Sequence, residues 1–152
     1  MVKRIISSVM VFAVALCLLI NAEAATSKTT FDKDDEWLIY MYICGTNLES
    51  LASRDVWEIQ SVKLPPNVKI LINMNGVRHW SDPRFEKYGD GIYLRDSDGF
   101  RKISSWKADM GRPDTLKNFL KFGEENYKAD HRILIFWDHG GLNGLCYDDA
   151  FD

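Results

Sequence analysis

Three short runs of this chain are apolar at nearly every position: Trp37 to Cys44 (WLIYMYIC), Val68 to Met74 with only Lys69 and Asn73 interrupting, and Ile133 to Trp137 (ILIFW). A strand with one wet face alternates apolar and polar residues. A strand apolar on both parities needs cover on both faces, which a parallel sheet between helical layers supplies. Three such runs hold the chain to an α/β architecture if the segments between them form helices.

Those segments have helical character. Thr46 and Glu49 stand at the T-x-x-E spacing of a capping box. Leu48, Leu51, Ala52, Val56, Ile59 and Val62 then recur at helical spacing, and Pro65-Pro66 ends the segment. Before the third run, Pro113 suits a first helical position and Asp114 the positive end of a helix. Leu116, Phe119, Leu120 and Tyr127 form its apolar stripe, with Gly123 as a break in it. Residues 76–110 are rich in turn signals, and Gly91 to Leu94 and Phe100 to Ile103 flank one of them as a β-hairpin. The expected fold is α/β: an open, mainly parallel sheet with flanking helices and a β-hairpin insertion, truncated after the third core strand. No internal repeat and no second domain boundary is visible.

The N-terminus reads differently. Lys3 and Arg4 precede an apolar run from Ile5 to Ile20, and Ala22-Glu23-Ala24 supplies the small-x-small pattern of a cleavage site. Residues 1–24 are expected to be a signal peptide, residues 25–35 a disordered lead-in, and residues 36–152 the domain. The alternative for the apolar run is a short membrane anchor. The signal peptide implies a secreted or extracytoplasmic protein with no membrane attachment after cleavage. A net charge of −3 and the lack of a basic tract argue against a nucleic-acid partner. Three Cys without a CxxC exclude a zinc ribbon and a disulfide framework.

In an open parallel sheet, chemistry gathers at the carboxyl ends of the strands. Two segments fall there: Cys44-Gly45-Thr46-Asn47 and Asp138-His139-Gly140-Gly141. His139 brings an imidazole that can take up and give back a proton, and the glycines let a ligand approach the backbone. A histidine that merely caps a strand end in a glycine turn fits the residues equally well.

The wider pattern bears on that choice. Trp37 to Glu49, Ala108 to Leu120 and Ile133 to Gly141 resemble three blocks of the clostripain family of cysteine peptidases, a resemblance running from Asp35 to the C-terminus. It implies a caspase-like fold in which the first strand lies between the second and the third. It implies that His139 is the general base or acid of a Cys–His dyad and that the Gly140 N–H helps to bind the oxyanion. It implies a protein or peptide substrate cut after Arg or Lys. After His139 the family usually continues Gly-Gly-Gly-Trp, where this chain has Gly140-Gly141-Leu142-Asn143. The family's nucleophilic Cys follows on a further strand, in an Asp-Ala-Cys context that is not found before Asp152. The expectation is an exported cysteine endopeptidase represented by its N-terminal part. This part carries the catalytic His, lacks its C-terminal partner segment and is inactive alone. The alternative is a non-catalytic exported α/β domain, either a pseudoenzyme or a binding module.

The cysteines present do not fill the gap. Cys17 leaves with the signal peptide. Cys146 precedes Tyr147-Asp148-Asp149, whose carboxylates should raise its pKa. Cys44 reads as a packed core residue, with approach to His139 and a disulfide to Cys146 as alternatives. No cofactor is expected. Asp148, Asp149 and Asp152 are either a solvated acidic loop or calcium ligands. His79 and His131 read as surface residues, and the Trp residues as core and cover.

Overall fold

The computed structural model describes residues 33–86, 89–142 and 144–151. The expected signal peptide and the lead-in up to residue 32 lie outside them. Among the described residues no helix is long and apolar enough to cross a membrane.

Strand β1 (Trp37–Cys44) leads through a 3-10 turn (Thr46–Leu48) into helix α1 (Glu49–Ser61) and strand β2 (Val68–Asn75). A single helical turn (Pro83–Glu86) and the hairpin strands β3 (Gly91–Asp96) and β4 (Gly99–Ser105) follow. Helix α2 (Pro113–Asn126) and strand β5 (His131–Trp137) complete the fold. The five strands form one mixed sheet in the order β4-β3-β2-β1-β5. β1 pairs in parallel with β2 on one side and β5 on the other, as the resemblance implied. The hairpin joins β2 antiparallel and makes the sheet less uniformly parallel than its three apolar runs suggest.

Because β2 and β5 flank β1 on opposite sides, crossovers of one hand send α1 and α2 to opposite faces. The side chains of β1 divide accordingly. Met41 and Ile43 pack with Ala52 and Val56 of α1, while Leu38, Tyr40, Tyr42 and Cys44 pack with Phe119 of α2. This two-faced burial is what an apolar run of both parities requires.

Several local expectations are met and others are not. Pro113 does open α2, after Arg112 at the N-cap. Gly123 does not break that helix. It lies buried against Tyr40, where an added Cβ would meet the ring at 2.3 Å. The capping box does not form. Leu48 is the N-cap of α1 without a side-chain hydrogen bond, and Glu49 instead accepts from the Ser53 and Ser81 hydroxyls. Thr46 has φ +43°, whereas an N-cap residue needs extended backbone. Buried Arg95 finishes the other end of α1 by donating to the Val62 and Ile59 carbonyls.

His131 departs from its expected surface role. Its Nε2 lies 2.8 Å from Asp35 Oδ2, and its ring packs on Trp37 at 4.5 Å. Asn67 Nδ2 donates to the Lys33 and Asp35 carbonyls, so the last residues of the expected lead-in are held to the domain. His79 is exposed, as expected.

The two edges of the sheet differ in character. β4 presents Arg101 and Lys102 among its side chains. β5 leaves Ile133, Leu134 and Ile135 at 40%, 37% and 40% exposure. An apolar edge with unpaired backbone groups is a template for further strand pairing.

Candidate active site

Parallel pairing of β1 with β5 places Ile43 beside Trp137, so the segments after both strands emerge at one end of the sheet. The turn after β1 is fixed by β2. The Gly45 and Thr46 N–H groups donate to the Asn75 and Gly76 carbonyls at 2.9 and 2.8 Å. The approach is close: a Cβ on Gly45 would lie 2.5 Å from Val77 Cγ1, and one on Gly76 would lie 2.6 Å from Cys44 Sγ. Held this way, the chain passes through Thr46 in a left-handed conformation, the one positive φ outside glycine among the described residues. Asn47 follows, exposed at the mouth of the sheet.

The turn after β5 is held by Asp138. One carboxylate oxygen accepts the His139 N–H at 2.6 Å, and the other accepts the Tyr147 N–H at 2.9 Å. Gly141 and Gly144 form a bridge within the loop so closed. Gly140 has φ +66°, which glycine adopts without strain. The His139 ring reaches across to the first turn, with Nε2 2.7 Å from Asn47 Oδ1. Thr46, Asn47, His139, Gly140, Cys146 and Tyr147 are among the residues lining a cleft of about 440 Å³.

Of the residues singled out in the sequence, His139 and Gly140 thus share one cleft, whereas Cys44 does not open into it. Cys44 is fully buried, with its thiol donating to the Tyr147 carbonyl at 3.3 Å, and it does not line the cleft with His139. Its pKa is pushed far up by hydrogen bonding to Cys146, by burial and by the field of Asp138 and Asp148. The reading as a packed core cysteine holds, and both thiols are free. Cys146 corrects an expectation. Burial and the carboxylates of Asp138 and Asp148 do act to raise its pKa, but the Cys44 thiol beside it outweighs them and lowers it. The sequence suggests a Cys44–Cys146 pair as a disulfide; the structure has the two as neighbouring thiols instead.

The acidic stretch is corrected as well. Asp148 is only 5% exposed and is not part of a solvated loop. Its two oxygens accept the Met110 and Ala150 N–H groups at 2.7 and 2.9 Å. Burial raises its pKa. With both oxygens so engaged, Asp148 ties the 106–112 segment to the 146–150 segment and is a poor fit to a calcium site. No group of three potential metal ligands occurs among the described residues. Asp152 lies outside them.

Nothing in the local sequence around Asn47 marks it as a partner of His139. The signal that finds it is spatial: it lies 92 residues from His139 in sequence, and only the β1–β5 pairing brings the two together.

A model of the clostripain family matches residues 39–151. Clostripain from Hathewaya histolytica is 30% identical over 159 residues, an alignment covering 86% of this chain and 30% of that protein. The chain therefore spans under a third of the length of that relative. A solved B. fragilis cysteine protease has a TM-score of 0.54 and 17% identity, covering 70% of this chain and 91% of that one. At that identity the likeness concerns the fold.

Proposed function

The chain belongs to the clostripain family of cysteine peptidases, and on that footing we propose that it carries the histidine side of a peptidase centre. The observation that supports this best is His139 itself. It stands at the C-terminal end of β5, in a cleft, with its ring held by Asn47 and its backbone by Asp138. In this reading His139 takes the proton of a thiol as that thiol attacks a peptide carbonyl. It then returns the proton to the leaving amine. Gly140, beside it, offers a backbone N–H to the oxyanion. The thiol comes from a further strand laid along the exposed β5 edge, in the Asp-Ala-Cys context of the family. The substrate is a protein or peptide cut after Arg or Lys, and the protein is exported through residues 1–24.

Two measurements test the proposal. The purified 152-residue chain should not hydrolyse Arg- or Lys-containing fluorogenic peptides. Activity abolished by Cys146→Ala would overturn the assignment of the nucleophile to another strand, since Cys146 lines the same cleft. Where the reading frame continues into an Asp-Ala-Cys strand, His139→Ala in the complete protein should lower kcat/KM by about 10²–10⁴-fold with an unchanged circular dichroism spectrum. An unchanged rate would remove His139 from the chemistry, and a complete protein without any hydrolysis would leave a non-catalytic binding domain as the better account.

A further inference from the structure

We infer that Asn47 is a positioning residue for His139: its side-chain oxygen holds the imidazole as the Nε2–H tautomer and turns Nδ1 toward the reacting thiol. The inference deepens the peptidase reading and rests on it for the role of His139. The contact itself is a property of this chain.

An amide oxygen only accepts hydrogen bonds, so the 2.7 Å contact between Asn47 Oδ1 and His139 Nε2 requires the proton on Nε2. The Thr46 hydroxyl donates to the same Oδ1 at 3.1 Å. Oδ1 thereby uses both its lone pairs, one on the threonine hydroxyl and one on the imidazole. Thr46 is placed for this by its left-handed backbone, an uncommon conformation for a β-branched residue and one that persists only where the surroundings impose it. Here they do so through the Gly45 and Thr46 amides on the end of β2.

The ordinary role for Thr and Asn before a helix is to cap it. Neither side chain does so here. Leu48 is the N-cap of α1, with no side-chain hydrogen bond to the helix. The strained turn, the threonine hydroxyl and the amide instead converge on one ring nitrogen. The consequence is chemical. A neutral imidazole with Nε2–H fixed has its acceptor lone pair on Nδ1. As a thiol attacks, its S–H bond breaks and an Nδ1–H bond forms. As the amine leaves, that Nδ1–H bond breaks and an amine N–H bond forms. Through both steps Nε2–H stays on Asn47, which orients the ring without bringing a second negative charge beside Asp138.

Nitrogen-15 NMR of this chain reads the tautomer directly, with His79 and His131 as internal references. His139 should show a single Nε2–H tautomer with its ring proton slowed in exchange with water. Asn47→Leu should bring that proton into fast exchange. Asn47→Asp, which keeps the acceptor oxygen, should restore the slow proton, and Thr46→Val should weaken it where Thr46→Ser does not. A wild-type Nδ1–H tautomer would mean that the amide faces the ring through its nitrogen, and would overturn the inference. So would a slow ring proton that survives Asn47→Leu. Because no step of this experiment depends on hydrolysis, its outcome is separate from that of the peptidase assay. A fixed tautomer in a complete protein whose hydrolysis is indifferent to His139→Ala would refute the proton-transfer role of His139 alone.

Discussion

Replacing Gly123 with Ala sets two known effects against each other at one position. Gly123 lies inside α2, and on helix propensity alone alanine should stabilise the protein by about 1 kcal/mol. The packing opposes this. A Cβ at Gly123 would lie 2.3 Å from Tyr40 Cε1, 2.5 Å from its hydroxyl and 2.7 Å from Cζ. Carbon atoms attract at about 3.5–4.0 Å, so the closest contact is short by roughly 1.2 Å. Tyr40 has little freedom to withdraw. It is 2% exposed, belongs to β1 with a strand paired on each side, packs edge-on against Phe119 and donates to the Leu120 carbonyl. Overpacking of a core costs about 1–3 kcal/mol, and a buried ring in an interior strand puts this case at about 3. The net expectation is a loss of about 2 kcal/mol. Urea unfolding followed by far-UV circular dichroism should show a lower midpoint with an unchanged slope. Tyr40→Phe keeps Cε1 and Cζ and should not rescue the variant. Tyr40→Leu should recover part of the loss, as a coupling of contacting residues. A Gly123→Ala midpoint at or above wild type would refute the reasoning, because propensity would then outweigh the contact.

Three further outcomes follow from the same structure. The apolar β5 edge should make the isolated chain self-associate at micromolar concentration. Ile135→Lys should shift sedimentation toward monomer while changing stability by no more than about 0.5 kcal/mol, as is usual at a surface position. The Arg101 guanidinium, bonded to both oxygens of Asp96, holds that carboxyl below its ordinary range. A depressed pKa stabilises the fold above the unfolded value of about 3.9, and the contribution is lost as pH falls through the folded value. Arg101→Gln should therefore cost at most about 1 kcal/mol at pH 7, because Arg101 is half-exposed, and the gap should close below about pH 4. Iodoacetamide should modify Cys146 well before Cys44 in the native chain and both alike in urea, since Cys44 is buried with a raised pKa. Equal native rates would contradict the placement of Cys44.

The parts of the fold that were legible in the sequence are those decided by local pattern. Apolar runs of both parities announce strands buried on two faces, and the turn residues around Asp96 to Gly99 announce a hairpin. Both are present. What escaped was set by pairing across long separations. Asp35 meets His131 because Trp37 and His131 are register partners, 94 positions apart by their numbers. Asn47 meets His139 for the same reason at the opposite end of the two strands. The T-x-x-E spacing misled because the backbone of Thr46 is bound to β2 and cannot take the extended form of a cap. For Cys146 the neighbours in sequence gave the wrong sign, because the group that decides its pKa belongs to β1. His139 and Gly140 were placed correctly at a strand end. Their surroundings, rather than their position, were what the sequence withheld.

The two hydrogen bonds of the Asp138 carboxylate have a consequence for how this region tolerates change. They close a loop of the chain at its base, so the entropy of closing it is met when the domain folds. Leu142 and Leu145, beyond that closure, are exposed. Insertions or exchanges at this tip then alter the rim of the cleft without moving the imidazole that stands at the base. A substitution at Leu142 or Leu145 should accordingly leave the His139 ring where it is. The tip can thereby change in sequence without a change in the geometry at its base.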